Sequence, residues 1–188
     1  MLRLSTLALL LALGASKLEN VKLQWRPTDE PGDVMVKAAK AFKSKKVQVA
    51  PFTDSRENKA LIGQNNQDKT PRDVTTTDDV GAWCATQMAG LLKRAGVAVV
   101  SEGGDVVISG QVMSFMVDER DVYQGTIVLN LAVSGGGKQI WADAVSGSSK
   151  RWGRTYKEDN YMETLSDALS RASEAFFGDA KLSEALAK

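Results

Sequence analysis

Read as a pattern of apolar and polar positions, the chain resolves into helices and strands by a change of period. Val80, Trp83, Cys84, Gln87, Met88, Leu91, Leu92 and Ala95 recur at helical spacing, and Gly96 stands where a C-terminal cap glycine is expected. Ahead of them, Thr75-Thr76-Thr77-Asp78-Asp79 offers side-chain oxygens for an N-cap and acidic charge for the helix dipole. A second helix is predicted from Asn160, with Tyr161, Leu165, Ala168, Leu169, Ala172 and Phe176 on one face and Gly178 ending it. Between the two the period drops to two. Val97 to Val100 is a short apolar run, and Asp105 to Val117 is strongly β-forming. Tyr123, Gly125, Ile127, Leu129, Leu131 and Val133 then alternate with polar neighbours, and Gln139 to Ser149 returns after the turn Gly135-Gly136-Gly137.

Upstream, Lys46 to Phe52 reads as a first strand, and the polar stretch from Thr53 to Thr77 reads as one long loop. Residues 34–42 divide between helix, favoured by Ala38, Ala39 and Ala41, and strand, favoured by Val34 and Val36. Residues 17–33, with Pro27, Pro31 and Gly32 around Trp25, read as an extended leader or linker. The expected fold class is α+β: a mostly antiparallel sheet with a three-stranded meander and two main helices packed on one face. One domain spans 34–178, with 179–188 as a C-terminal tail.

The first residues change the picture. Arg3, the short apolar run from Leu4 to Leu13 and the small residues Gly14, Ala15 and Ser16 have the three parts of a secretory signal, so residues 1–16 are expected to be removed. The run is about half of the roughly 20 residues that a membrane span needs, and no later segment approaches that length. Cys84 is the only cysteine, which excludes an internal disulfide. The 24 basic and 23 acidic residues nearly cancel without forming a basic stripe, so nucleic acid is not an expected partner.

The chain has no histidine, which removes Ser-His-Asp and Cys-His catalysis and His-ligated zinc. Cys84 lies on the apolar helix face and reads as a packed thiol. Gly135-Gly136-Gly137-Lys138 lacks the frame of a phosphate loop. Asp78-Asp79 reads as helix N-terminal charge and Asp118-Glu119-Asp121 as a solvated turn; neither has calcium-loop spacing. No metal or cofactor is expected. Lys150-Arg151-Trp152-Gly153-Arg154-Thr155-Tyr156-Lys157 interleaves bases with aromatics, which makes Trp152 and Tyr156 binding candidates, although an ordinary strand-to-helix loop has the same composition. The meander face opposite the helices is expected to be open. In one register Met113, Phe115, Trp141 and Val145 join Val128 there as an apolar patch, a candidate surface for self-association or a partner, with Trp141 at its centre. A bulge at Gly110 would instead turn Met113 and Phe115 into the core.

Asp54-Ser55-Arg56 after the first strand, and Ile62-Gly63 beyond it, complete a layout that resembles the YajG-like family of small bacterial envelope lipoproteins. The likeness runs from about Val47 to Phe177. It implies an envelope protein of undefined biochemical activity, and the same layout resembles more distant envelope modules that activate cell-wall synthases or assist secretion and transport. Lipoproteins of that family carry a cysteine where this chain has Ser16, so the resemblance implies a periplasmic or secreted protein, anchored to the outer membrane only if the serine replaces a native cysteine. The leading expectation is a non-catalytic binding or scaffold protein that contacts an envelope protein or cell-wall component. The alternative is a carboxylate- or lysine-dependent enzyme centred on Asp54, Arg56 and Lys59. Asp54 and Arg56 are binding candidates, expected to organise the long loop through a charge-assisted hydrogen bond.

Overall fold

In chain order the elements are α1 (Gly32–Ala41), β1 (Lys46–Val49), β2 (Thr53–Asp54), β3 (Leu61–Asn65), β4 (Arg72–Thr75), α2 (Val80–Arg94), β5 (Ala98–Val100), β6 (Val106–Glu119), β7 (Val122–Gly135), β8 (Lys138–Trp152), α3 (Glu158–Phe177) and α4 (Ala180–Leu186). The computed structural model describes residues 17–28 and 32–187, and the signal-like segment 1–16 lies outside them. β6, β7 and β8 pair antiparallel along nearly their whole length and form the expected meander. Along the other edge of β6 run β1, β2 and β3, each parallel to it, with β5 beyond β1 and β4 antiparallel beyond β3. The fold is α+β, its long ladders antiparallel.

One face of this sheet holds the core. Val112, Phe115 and Val117 of β6 and Ile127, Leu129, Leu131 and Val133 of β7 are buried in one cluster with Cys84, Met88 and Leu91 of α2 and Leu165, Leu169 and Phe176 of α3. The approach of α3 to β8 is so close that a Cβ at Gly147 would lie 2.1 Å from the Ala168 carbonyl oxygen, a position only glycine can fill. Asp79 caps α2 through the Ala82 amide, and Gly96 follows its end at φ 78°. α3 begins two residues before Asn160, which instead joins Arg151 and Thr155 by its side chain. Glu158 and Asp159 complement the dipole of that first turn.

Four segments carry more than the sequence reading assigns them. The undecided stretch is helix α1, held because Ala38 and Phe42 are buried, with Phe42 against Phe176 and Phe177. The long loop contains β2, β3 and β4. Its buried hydrophobic residues are only Ile62 and Val74, because other inward positions are the buried polar residues Asn65 and Thr76. The leader is extended and docked: Leu18 bridges Val74, the Val21 amide donates to the Thr75 carbonyl at 2.8 Å, and together they close the outer edge of β4. Further on, its amides donate to side chains, Leu23 to Asp78, Arg26 to Ser166 and Thr28 to Asp167, while Trp25 packs on Trp83. The C-terminal residues form α4, whose Leu182 and Leu186, four apart, are both buried.

No helix among the described residues is long and apolar enough to cross a membrane.

Candidate functional site

Asp54 and Arg56 meet as expected. Arg56 Nε donates to Asp54 Oδ1 at 2.9 Å and Nη2 to Oδ2 at 2.8 Å, a bidentate pair of two nearly buried side chains. The remaining guanidinium hydrogens go to backbone carbonyls of Lys59, Leu61 and Phe115. All five donors of Arg56 are thereby engaged, and none is left for a ligand. Burial pushes the Asp54 carboxyl upward, but the hydrogen bonds and charge of Arg56 outweigh it and hold it below the usual carboxylate range. The pair folds the β2–β3 connection onto β6.

Glu119, expected in a solvated turn, is fully buried at the end of β6. The inward alternation of Phe115 and Val117 continues to it, so its carboxylate points beneath the helices and accepts from Tyr161 Oη at 2.6 Å, the Tyr156 amide at 3.0 Å and Gln67 Nε2 at 3.0 Å. Burial raises the Tyr161 hydroxyl far above its ordinary pKa, and the Glu119 hydrogen bond adds to the rise. Tyr156 is buried too. Its hydroxyl joins Leu18 of the leader to Asp73 of β4, and the Arg72 guanidinium lies 4.3 Å over its ring. This polar cluster fastens three loops to one end of the sheet. Cys84 is fully buried, and burial pushes its thiol well up, away from the nucleophilic thiolate.

Trp141 is core, contrary to the open-face expectation. It pairs with Val133, points toward the helices, stacks against Phe176 and donates from Nε1 to Asp179 at 3.0 Å. Val145 and Phe115 lie on the same buried side. The physical reason is register: the bulge in β6 falls between Val112 and Ser114, at Met113, and a second irregularity sits between Val133 and Ser134 of β7 opposite the start of β8. Met113 remains outside, 43% exposed, and Trp152 is 83% exposed at the end of β8.

The outer face of β6–β8 is the site the structure presents. No helix of the described residues covers it, and its side chains stand in rows across the strands: Val107–Ser134–Gln139, Ser109–Ala132–Ala142, Gln111–Asn130–Ala144, Ser114–Val128–Ser146 with Met113 beside it, and Met116–Thr126–Ser148. None of these rows contains a charge, in a chain whose residues are 25% charged. Charge returns only at one end, in the row Asp118–Gln124–Lys150, with Trp152 paired to Val122 just beyond. The sequence signal for this face was the same alternation that marked the core: positions between the buried ones are Ser, Thr, Ala, Asn, Gln, Met and Val rather than Lys and Glu.

Among the described residues grooves open between α2 and β5, of about 550 Å³, and near Lys43 and Lys46, of about 400 Å³, while a third, of about 510 Å³, lies at the charged end of this face around Gln124, Ser148, Lys150 and Arg171. None of the three has a carboxylate in its lining. No group of three Cys, Asp or Glu side chains converges as a metal site among those residues.

By sequence, no family model and no curated protein matches this chain. By shape, it is similar to the protein XCC0632 from Xanthomonas campestris, described with the family model DUF330: TM-score 0.56 and 12% identity over 90% of this chain and 94% of that one. That likeness is one of fold. Lipoprotein GNA1162 from Neisseria meningitidis aligns at TM-score 0.36 and 14% identity over 56% of this chain and 83% of that one. The PelC dodecamer from Paraburkholderia phytofirmans aligns at 0.41 and 18% over 67% and 86%.

Proposed function

We propose that this chain is a non-catalytic binding or scaffold protein of the bacterial envelope, acting through the open face of β6–β8 on an uncharged, flat protein surface. The observation that carries the reading is the run of charge-free rows from Val107 to Met116 across three long strands. A charged side chain buried without a partner costs several kcal/mol; a face without charges avoids that cost, and its Ser, Thr, Asn and Gln groups need only hydrogen-bond partners across the contact. Met113, Met116 and Val128 supply apolar contact at its centre, and Trp152 adds an exposed aromatic at its rim. The enzyme alternative is disfavoured because Arg56 and Asp54 engage each other and the backbone, Cys84 is buried, and the chain has no histidine.

The signal-like residues 1–16 support export, and the Asp54-Ser55-Arg56 element and layout support kinship with the YajG-like envelope lipoproteins. With Ser16 in place of a lipid-acceptor cysteine, the protein is periplasmic or secreted; an outer-membrane anchor would require that serine to replace a native cysteine. The test is Ser146→Lys, an exposed position in the fourth of the five charge-free rows. Expressed in its own host and crosslinked in intact envelopes, the variant should keep its melting temperature and lose the adducts of the wild type. An unchanged adduct pattern would contradict the reading.

A further inference from the structure

We infer that the surface received by this face is the same face of a second copy of the chain, packed about a two-fold axis parallel to β7. The inference rests on the open face being the binding surface, and it names the partner. In an isologous contact every residue on the axis meets its own copy. A face carrying charges there would repel itself; this one is charge-free through Thr126, Val128, Asn130 and Ala132, the outward residues of the central strand.

The charged end supplies the second argument. An axis along β7 superposes β6 of one copy on β8 of the other while keeping the level along the strands. Asp118 and Lys150 occupy the two sides of one row, joined through Gln124, so each would face the opposite charge of the partner copy. Lys150 has no ion-pair partner within its own chain among the described residues; the Asp118 side chain, 42% exposed, pairs with Arg120 Nε at 3.0 Å and accepts from Asn66 Nδ2 at 2.7 Å, and keeps its exposed side for the partner's ammonium. Trp152, one pair further along, would be covered by the partner's β6–β7 turn.

Size supplies the third. Three strands about 4.8 Å apart and about 13 residues long at roughly 3.3 Å each make a projected face of about 600 Å². Stable complexes bury about 800 Å² per partner, counted over side-chain surface that exceeds the projection. Aligned sheets pack about 10 Å apart with their strands within about 30° of one another, which leaves room for Asn130 and Met113 between them.

The test uses Asn130, which lies on the axis strand and is exposed. The exported protein should sediment as a dimer. Asn130→Lys and Asn130→Glu, each melting as the wild type does, should each dissociate at least about a hundredfold more readily, because like charges meet across the axis. An equimolar mixture of the two should dimerise again, since opposite charges then face each other. A wild type that is monomeric at high concentration overturns the inference, and so does a pair of variants that lose association and do not regain it on mixing. Should the monomeric wild type still lose its envelope adducts on Ser146→Lys, the face would remain the binding surface and only the second copy would be excluded.

Discussion

At the scale of single residues, Arg56 joins Asp54 and three backbone carbonyls through all five of its donors. Arg56→Ala would leave a nearly buried carboxylate without its cation and those carbonyls without a donor. Breaking such a pair from one side costs about 3–5 kcal/mol, so equilibrium denaturation should register a loss of that order. Arg56→Lys should recover little of it, because an ammonium cannot reproduce the planar fork. The sign of the pH dependence follows from Asp54. Its folded pKa is lowered, so its contribution is fully present above the unfolded value, about 3.9, and is lost as pH falls through the folded value. Asp54→Asn should flatten the stability profile in that acid window; a profile as steep as the wild type's would contradict the assignment. The Asp-x-Arg spacing made this pair legible beforehand. Glu119 was not legible, because a run of four charged residues reads as a turn, and only the continuation of β6 carries it inside.

At the scale of elements, the long amphipathic helices and the meander were readable because their periods persist over many residues. The short strands were not. β3 and β4 hold inward polar residues whose partners come from far along the chain, and the leader presents only Val21, Leu23 and Trp25 in alternation before prolines intervene. The leader's attachment is specific: Asp78 accepts from Lys22 Nζ at 2.7 Å and from the Leu23 amide at 2.9 Å, and these bonds hold its carboxyl below the usual range. Asp78→Ala should therefore loosen residues 18–28 by about 1–2 kcal/mol and leave the sheet as it was. Hydrogen exchange is the measurement: the amides of Leu23 and Arg26 should lose protection while those of β7 keep it. Leader amides already unprotected in the wild type would contradict the strap.

At the scale of the whole molecule, the fold is a one-sided sheet. The alternation of Tyr123, Ile127, Leu129, Leu131 and Val133 marks its helix-facing side, and the structure buries all five. Trp141, Phe115 and Val145 lie on the buried side rather than the expected open one, since a one-residue bulge reverses every side chain beyond it and leaves no mark in composition. What remained on the open side is more informative than the expected apolar patch: a long surface from which charge is missing, in a protein whose cysteine is buried and whose clearest ion pair is structural. The central claim is that this surface is covered when the protein works. Cysteine labelling tests it directly, with Cys84 silent in the core. Ser146→Cys on the open face and Ser183→Cys on exposed α4 would each be reacted with a membrane-permeant maleimide, in intact envelopes and in dilute purified protein. The account predicts that position 146 is protected in the envelope and reactive on dilution, while position 183 reacts equally in both. Equal labelling of position 146 in the two conditions would contradict it.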